Sequence, residues 1–78
     1  MELKLFYRTQ RELAADLNKL IDFYWEEKVN EPELIKGIKD LYENNNEKLL
    51  KGNQFTKIVQ QHCGKRRLTV VEKILEIK

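Results

Sequence analysis

Apolar residues recur every three to four positions along most of this chain, and this spacing limits its fold more than any other feature. The first apolar stripe is made of Leu13, Leu17, Leu20, Ile21 and Tyr24. Side chains at such intervals lie on one face of a helix. Thr9 and Glu12 precede the stripe and fit a capping box, in which each side chain bonds the other residue's backbone amide. The pattern therefore predicts a first helix from Thr9 to about Lys28.

A second helix is predicted directly after the first. Asn30 is a favourable N-cap, and Glu33 lies where the acidic residue of a capping box belongs. The apolar stripe that follows consists of Leu34, Ile38, Leu41 and Tyr42. Three consecutive asparagines, Asn44 to Asn46, are expected to end this helix. Because the connection is short, residues 9–28 and 31–44 are predicted to form an antiparallel helical hairpin.

The last third of the chain is less regular, and glycines are expected to separate its helices. Leu49 and Leu50 suit a short helical turn that Gly52 would close. Two further apolar groups predict a third helix, which stops at Gly64, and a fourth helix after it. These groups are Phe55, Ile58 and Val59, followed by Leu68, Val71, Ile74 and Leu75.

Residues 2–8 are the only stretch with strand character, because Leu3, Leu5 and Tyr7 would lie on one face of a strand. Nothing later is predicted to be β, so such a strand has no partner in the chain. An extended arm, a strand that pairs with another copy, and the lead-in to the first helix all remain open. The predicted class is all-α: a small bundle of three to four helices that opens with an antiparallel helical hairpin, with an optional extended segment at the N-terminus.

Length and composition narrow the class of protein. With 78 residues, the chain (residues 1–78) is predicted to form a single small helical domain. Its one cysteine, Cys63, excludes an intramolecular disulfide, which favours a reducing, cytoplasmic setting. The N-terminus lacks the continuous apolar stretch of a signal peptide, and no apolar run is long enough to cross a membrane.

The charges are distributed unevenly along the chain. Residues 1–47 contain seven Lys/Arg and eleven Asp/Glu, a net charge of −4, whereas residues 48–78 contain eight and two, a net charge of +6. The basic part centres on Lys65, Arg66 and Arg67, directly after Gly64. Clustered cations of this kind favour an anionic partner.

Nucleic-acid binding is one interpretation of these cations. The segment can be aligned with a helix-turn-helix, with Gly64 in the turn and the basic cluster at the start of the helix that contacts DNA. The predicted nucleic-acid or anion contacts are Lys57, Lys65, Arg66, Arg67 and Lys73. Three polar residues occupy positions where the motif prefers a small or apolar side chain: Gln60, Lys65 and Lys73. The match to the motif is therefore incomplete.

Pairing within the chain, or between two copies, is the other interpretation. Each cation in the first turn of a helix opposes the helix dipole by about 0.3–1 kcal/mol, which favours a nearby countercharge for the basic cluster. The acidic residues expected to supply it are Glu26, Glu27, Glu31 and Glu33. Aromatic residues point to an interface as well. Tyr24 follows the buried stripe, so Phe23 or Trp25 must lie on another face, and Trp is common at protein interfaces.

No enzymatic site is predicted. His62 and Cys63 are adjacent, so on a helix their side chains diverge and do not form a nucleophile–base pair. One His and one Cys also fall short of the four ligands of a structural zinc site. We expect Cys63 to be a core residue at a helix end and His62 to lie at the surface. No cofactor, metal or small-molecule substrate is predicted.

The segment from Met1 to about Leu20, with Cys63 to Leu68 and Ile74-Leu75, resembles a family of small uncharacterised proteins. These proteins have similar length and occur in low-GC Gram-positive bacteria and their mobile elements. The resemblance implies a stand-alone cytosolic protein and brings no activity, ligand or catalytic residue.

Together these observations predict a small non-enzymatic interaction protein. It would self-associate as a homodimer or bind a protein partner through a helical face, with Phe23 and Trp25 as interface residues. The alternative is a small DNA- or RNA-binding regulator that uses the basic cluster. No membrane partner is predicted.

Overall fold

Three helices account for most of the fold. The computed structural model describes residues 3–77. Its elements are α1 (Gln10–Trp25), α2 (Glu31–Leu49), β1 (Leu50–Lys51), β2 (Gln54–Phe55) and α3 (Lys57–Leu75). The predicted all-α class is confirmed, because the only sheet in this part of the chain is a hairpin with two residues in each strand. No helix within the described residues is both long and apolar enough to cross a membrane.

Both helices of the opening hairpin begin at their predicted caps. Thr9 Oγ1 accepts a hydrogen bond from the Glu12 N–H at 3.1 Å. Asn30 and Glu33 form the complete capping box that was predicted for α2. The box at Thr9 is only half formed, because the Glu12 carboxylate pairs instead with Lys4 Nζ at 3.1 Å. The N-terminal segment therefore competes with the cap for this acid.

The end of α1 is a Schellman motif. The Lys28 N–H donates to the Phe23 carbonyl at 2.8 Å, and the Glu27 N–H donates to the Tyr24 carbonyl at 3.1 Å. Glu27 consequently has a left-handed backbone with φ of +63°. Glycine usually occupies this position, and another residue costs about 1 kcal/mol there. The motif ends α1 at Trp25, three residues before the predicted Lys28.

All three helices contribute to one hydrophobic core. Its most deeply buried side chains are Leu13, Leu17, Ile21, Ile38, Leu49, Val59, Cys63 and Val71. Gly37 of α2 packs against Leu20 of α1 in the hairpin. A Cβ atom at position 37 would lie 2.7 Å from Leu20 Cδ2, so the Leu20 side chain would have to shift to accept any larger residue there.

Residues 3–8 form an arm without regular secondary structure, so the strand interpretation does not hold within this chain. Glu2, the first residue of the predicted strand, lies outside the described residues. Tyr7 is buried and Leu3 is partly buried against the core. Leu5 was predicted to share their face but is 66% exposed. The arm bends at this residue, and the bend breaks the alternation of a strand.

α2 continues through the asparagines that were predicted to end it. Asn45 is non-helical, with φ of −138° and ψ of 33°, but the helix resumes and ends at Leu49. The buried Asn45 side chain accepts a hydrogen bond from the Tyr7 N–H at 2.9 Å and donates to the Leu5 carbonyl at 2.9 Å. The predicted end was wrong because Asn45 bonds the arm instead of turning the chain.

A β-hairpin replaces the short helical turn predicted after Leu49. Leu50 pairs with Phe55 in an antiparallel register. Gly52 has φ of +65°, the positive value that a two-residue hairpin loop needs at its first position. The expectation that nothing beyond the arm is β was therefore wrong. Strands of two residues are too short to produce a recognisable alternation of apolar and polar residues.

The predicted third and fourth helices are the two halves of α3. Gly64 is the only non-helical residue between them, with φ of +77° and ψ of 165°. The break thus occurs at the predicted residue, and the helix resumes at Lys65. A helix-turn-helix has a turn of about three to four residues, so the connection in α3 is shorter than that motif requires.

Candidate protein-interaction site

The break at Gly64 brings the basic cluster against α1. Arg67 Nε and Nη2 donate to the two carboxylate oxygens of Asp22 at 3.0 and 2.9 Å, a bidentate pair. The third donor, Nη1, bonds the Cys63 carbonyl at 3.1 Å. The hydrogen bond to Asp22 raises the pKa of Arg67, so its charge is secure. The fork of Arg67 is therefore engaged within the fold.

The same contacts complete the end of the first half of α3. A helix leaves its last carbonyls without partners, and side chains can satisfy them. The His62 carbonyl accepts from Asn18 Nδ2 at 2.8 Å, and the Cys63 carbonyl accepts from Arg67. A cation near a helix C-terminus interacts favourably with the dipole. Arg67, which was expected to oppose the dipole of the helix it begins, thus stabilises the helix half that precedes it.

Arg66 meets Trp25 on the surface beside this pair. The Arg66 guanidinium carbon lies 5.4 Å from the centre of the Trp25 ring, which is cation–π geometry. Trp25 is 44% exposed, and Arg66 is exposed as well. Arg66 makes no hydrogen bond or ion pair with any residue from 3 to 77. Two residues predicted for separate sites therefore form one surface, which we call the Trp25–Arg66 surface.

The three lysines of the predicted nucleic-acid set are spread along α3. Lys57 is its first residue, Lys65 follows the break, and Lys73 lies in the last turn. Lys65 and Lys73 are separated by about 12 Å of helix axis. Lys65 lies at the edge of a groove of about 640 Å³ that also includes Phe55 and Leu68. The structure does not gather the predicted set into one compact patch.

Phe23, the other predicted interface residue, is partly buried and packs against the core. The Lys28 ammonium lies 5.5 Å from the centre of its ring and covers part of it. Tyr24 is also partly buried against the core, as its position in the apolar stripe predicts. Of the three consecutive aromatic residues, only Trp25 is exposed.

Within the chain, Arg67 of the basic cluster pairs with an acid other than the four that were predicted. Asp22 pairs with Arg67, whereas Glu26 pairs with Lys28 at 3.2 Å and Glu33 caps α2. Glu27 and Glu31 are exposed and have no ion pair within residues 3–77. Asp22 lies one turn beyond Asn18 on the side of α1 that faces α3. In the sequence, only its position beside the apolar stripe indicated that it could pair with a residue of another helix.

His62 and Cys63 occupy the environments predicted for them, surface and core. Burial raises the pKa of the Cys63 thiol to about 11, although the nearby Arg67 charge lowers it. The thiol therefore stays protonated and is a poor nucleophile at neutral pH. Sequence reasoning missed a second exposed apolar spot, on the arm, where Leu5 and Phe6 are 66% and 69% exposed.

The fold and this site define a small three-helix protein with a Trp–Arg pair on its surface. A family model described as a conserved hypothetical protein matches residues 4–76. The chain belongs to this family, which confirms the resemblance to uncharacterised proteins of low-GC Gram-positive bacteria. No curated protein and no solved structure matches the chain. Because the family description assigns no activity, function has to be inferred from the geometry around Trp25.

Proposed function

We propose that this protein is a small, non-enzymatic, cytoplasmic interaction protein that binds a protein partner or a second copy of itself through the Trp25–Arg66 surface. One observation carries the proposal: an exposed Trp and an exposed Arg, from different helices, are in cation–π contact. Trp and Arg are among the residues most enriched at the energetic centres of protein interfaces. The single thiol, which is buried, supports the cytoplasmic setting.

The surroundings hold this surface in place before any partner binds. Trp25 is the last residue of α1, and the Schellman motif fixes the backbone after it. Arg66 lies directly beside Arg67, whose bidentate bond to Asp22 anchors the second half of α3 to α1. A surface that is already ordered loses little conformational entropy on binding. Rigidity at this position therefore favours recognition of a partner.

Binding of DNA or RNA is the alternative proposal, and exposed Lys65 and Arg66 support it. Two observations make it the weaker one. Arg67 already uses its donors on Asp22 and Cys63, so one member of the cluster is not free for phosphate. The connection at Gly64 is also shorter than the turn of a helix-turn-helix.

A pull-down from lysate, with and without nuclease, tests the proposal. The bait is the full chain, compared with a Trp25→Ala/Arg66→Ala variant and with Lys73→Ala, which removes an exposed cation elsewhere on α3. We expect a partner that survives nuclease and Lys73→Ala but is lost with the double variant. Proteins captured equally by all three baits would contradict the proposed surface. Material that disappears with nuclease would favour the alternative.

A further inference from the structure

We propose that the occupant of the Trp25–Arg66 surface is a second copy of this chain, arranged so that Arg66 of each protomer bonds Glu27 of the other. This inference rests on the proposed function and names its partner. It follows from three properties of the Trp25–Arg66 surface and the α1–α2 connection beside it: an unused guanidinium on α3, an unused carboxylate in the connection, and the Trp25 side chain next to both.

The unused guanidinium belongs to Arg66. The Arg66 guanidinium contacts the π face of the Trp25 ring, an interaction that uses none of the guanidinium N–H donors in hydrogen bonds. Within residues 3–77 nothing accepts from Arg66, whereas Arg67 next to it bonds Asp22 and the Cys63 carbonyl. Trp25 therefore holds a cationic fork without neutralising it. The ligand that matches such a fork is a carboxylate, which it binds through two parallel hydrogen bonds.

The unused carboxylate belongs to Glu27. Its neighbour Glu26 is paired with Lys28, but Glu27 is exposed and makes no ion pair in the described part of the chain. Its backbone is left-handed, with φ of +63°, at the position where a Schellman motif usually has glycine. Glutamate at this position is unfavourable for the isolated fold. Backbone outliers of this kind are concentrated at functional sites.

Trp25 connects the cation and the carboxylate, as a self-complementary surface requires. Trp25 and Glu27 line one shallow pocket of about 500 Å³ with Val29 and Asn30, and the Arg66 guanidinium carbon lies 5.4 Å from the centre of the Trp25 ring. In a two-fold dimer the same surface of both copies meets, so each contact occurs twice. An Arg66–Glu27 contact would therefore form twice around a centre that contains the two Trp25 side chains.

Sedimentation of the full-length protein over a concentration series, with charge reversals, tests this arrangement. Arg66→Glu and Glu27→Arg would each place like charges opposite each other twice, and each should raise the dimer dissociation constant about tenfold or more. A mixture of the two variants, or the double variant, restores opposite charges and should recover the wild-type value. Lys57→Glu and Glu43→Arg make the same charge changes at exposed positions at the start of α3 and on α2, and they should leave dissociation unchanged.

Glu27→Gly separates an effect on binding from an effect on folding. This change relieves the left-handed backbone and removes the carboxylate, so we expect the monomer to become more stable while the dimer becomes weaker. If Glu27 had only a structural role, the substitution would not raise the stability of the monomer and weaken the dimer at the same time. The variant also remains informative if either charge reversal fails to fold, which circular dichroism would show.

Two results would overturn the inference. One is a wild-type protein that remains monomeric up to about 1 mM. At this concentration even a weak dimer with a dissociation constant of about 1 mM would be half formed. The other is association that neither charge reversal weakens. If the protein is monomeric but the Trp25→Ala/Arg66→Ala bait still loses its partner, only the second copy is rejected. If that bait loses nothing, the proposed function fails as well.

Discussion

Two helices of this protein each contain one non-helical residue, and the two interruptions have different causes. Gly64 in α3 has φ of +77° and ψ of 165°, a conformation that is essentially restricted to glycine. Asn45 in α2 has φ of −138° and ψ of 33°, which does not require glycine. Its distortion accompanies three hydrogen bonds from its buried side chain, to Tyr7, Leu5 and Leu41.

The two breaks are determined by different parts of the molecule. At Gly64 the residue type itself permits the break, and neighbouring side chains then satisfy the exposed carbonyls. At Asn45 the break depends on the arm, which contacts the helix from about forty positions away. One interruption is thus a local property of the backbone, and the other is a property of the tertiary structure. Four predictions test this distinction.

The largest effect is expected for Gly64→Ala. An added Cβ would meet no atom within 4 Å, so the cost comes from the backbone conformation alone. We expect the free energy of unfolding to fall by about 3 kcal/mol, as measured by urea denaturation. D-alanine at position 64 is the matched control, because it favours positive φ, and it should preserve stability. Equal losses with both forms of alanine would show that the backbone conformation is not the cause.

Asn45→Ala should lower the free energy of unfolding by about 2 kcal/mol, because the buried Tyr7 N–H and Leu5 carbonyl lose their partner. Its exposed neighbour is the control, since Asn46→Ala should change stability by less than about 0.5 kcal/mol. Hydrogen exchange at the Tyr7 amide should accelerate only in the Asn45 variant. Slow exchange there after the substitution would mean that something other than Asn45 holds the arm.

Arg67→Ala should cost about 1 kcal/mol, since it removes a bidentate but partly exposed pair and the cap on Cys63. Arg66→Ala should cost less than about 0.5 kcal/mol, because Arg66 makes only its cation–π contact within the described residues. About 1 M NaCl should reduce the difference between the two variants, since salt screens exposed pairs. Equal losses at low salt would contradict the different roles assigned to these arginines.

Apart from the control substitutions, the smallest effect at neutral pH is expected for Tyr7→Phe, about 0.5–1 kcal/mol, from the lost hydroxyl hydrogen bond to Asp16. Burial, and then this hydrogen bond, raises the pKa of Tyr7 from 10.0 to about 12. Folding therefore favours the neutral phenol, and its contribution is complete below pH 10 and is lost as the pH rises toward 12. Urea midpoints of the two proteins should converge over that range. A constant difference would contradict the raised pKa.

The starts of the first two helices were predicted correctly, because caps and apolar spacing are local signals, whereas Phe55, assigned to the third helix, lies in β2. Thr9 and Asn30 cap their helices as predicted, and Gly64 interrupts the last one. Helix ends were located less well. The Schellman motif ended α1 early, and the arm allowed α2 to continue beyond Asn45. In both cases the outcome depended on bonds that the pattern of apolar residues does not encode.

The candidate site followed the same rule. The basic cluster and Trp25 were each singled out from the sequence, but as parts of different sites, and Asp22 was not named as the partner of Arg67. Asp22 is 45 positions from Arg67, and no periodicity relates two such distant residues. Their pairing depends on how α3 crosses α1 after Gly64. The same crossing leaves Arg66 exposed while Arg67 bonds Asp22.

Caps and apolar spacing predict that this chain forms helices, where the first two begin and which of their faces are apolar, because these properties depend on residues within one or two helical turns. The packing of the helices is what makes Asn45 anchor the arm, Asp22 pair with Arg67 and Arg66 meet Trp25. Those outcomes depend on the relative placement of packed helices. The physical reason is range: caps and periodicity act along the chain, whereas ion pairs and stacking act through space.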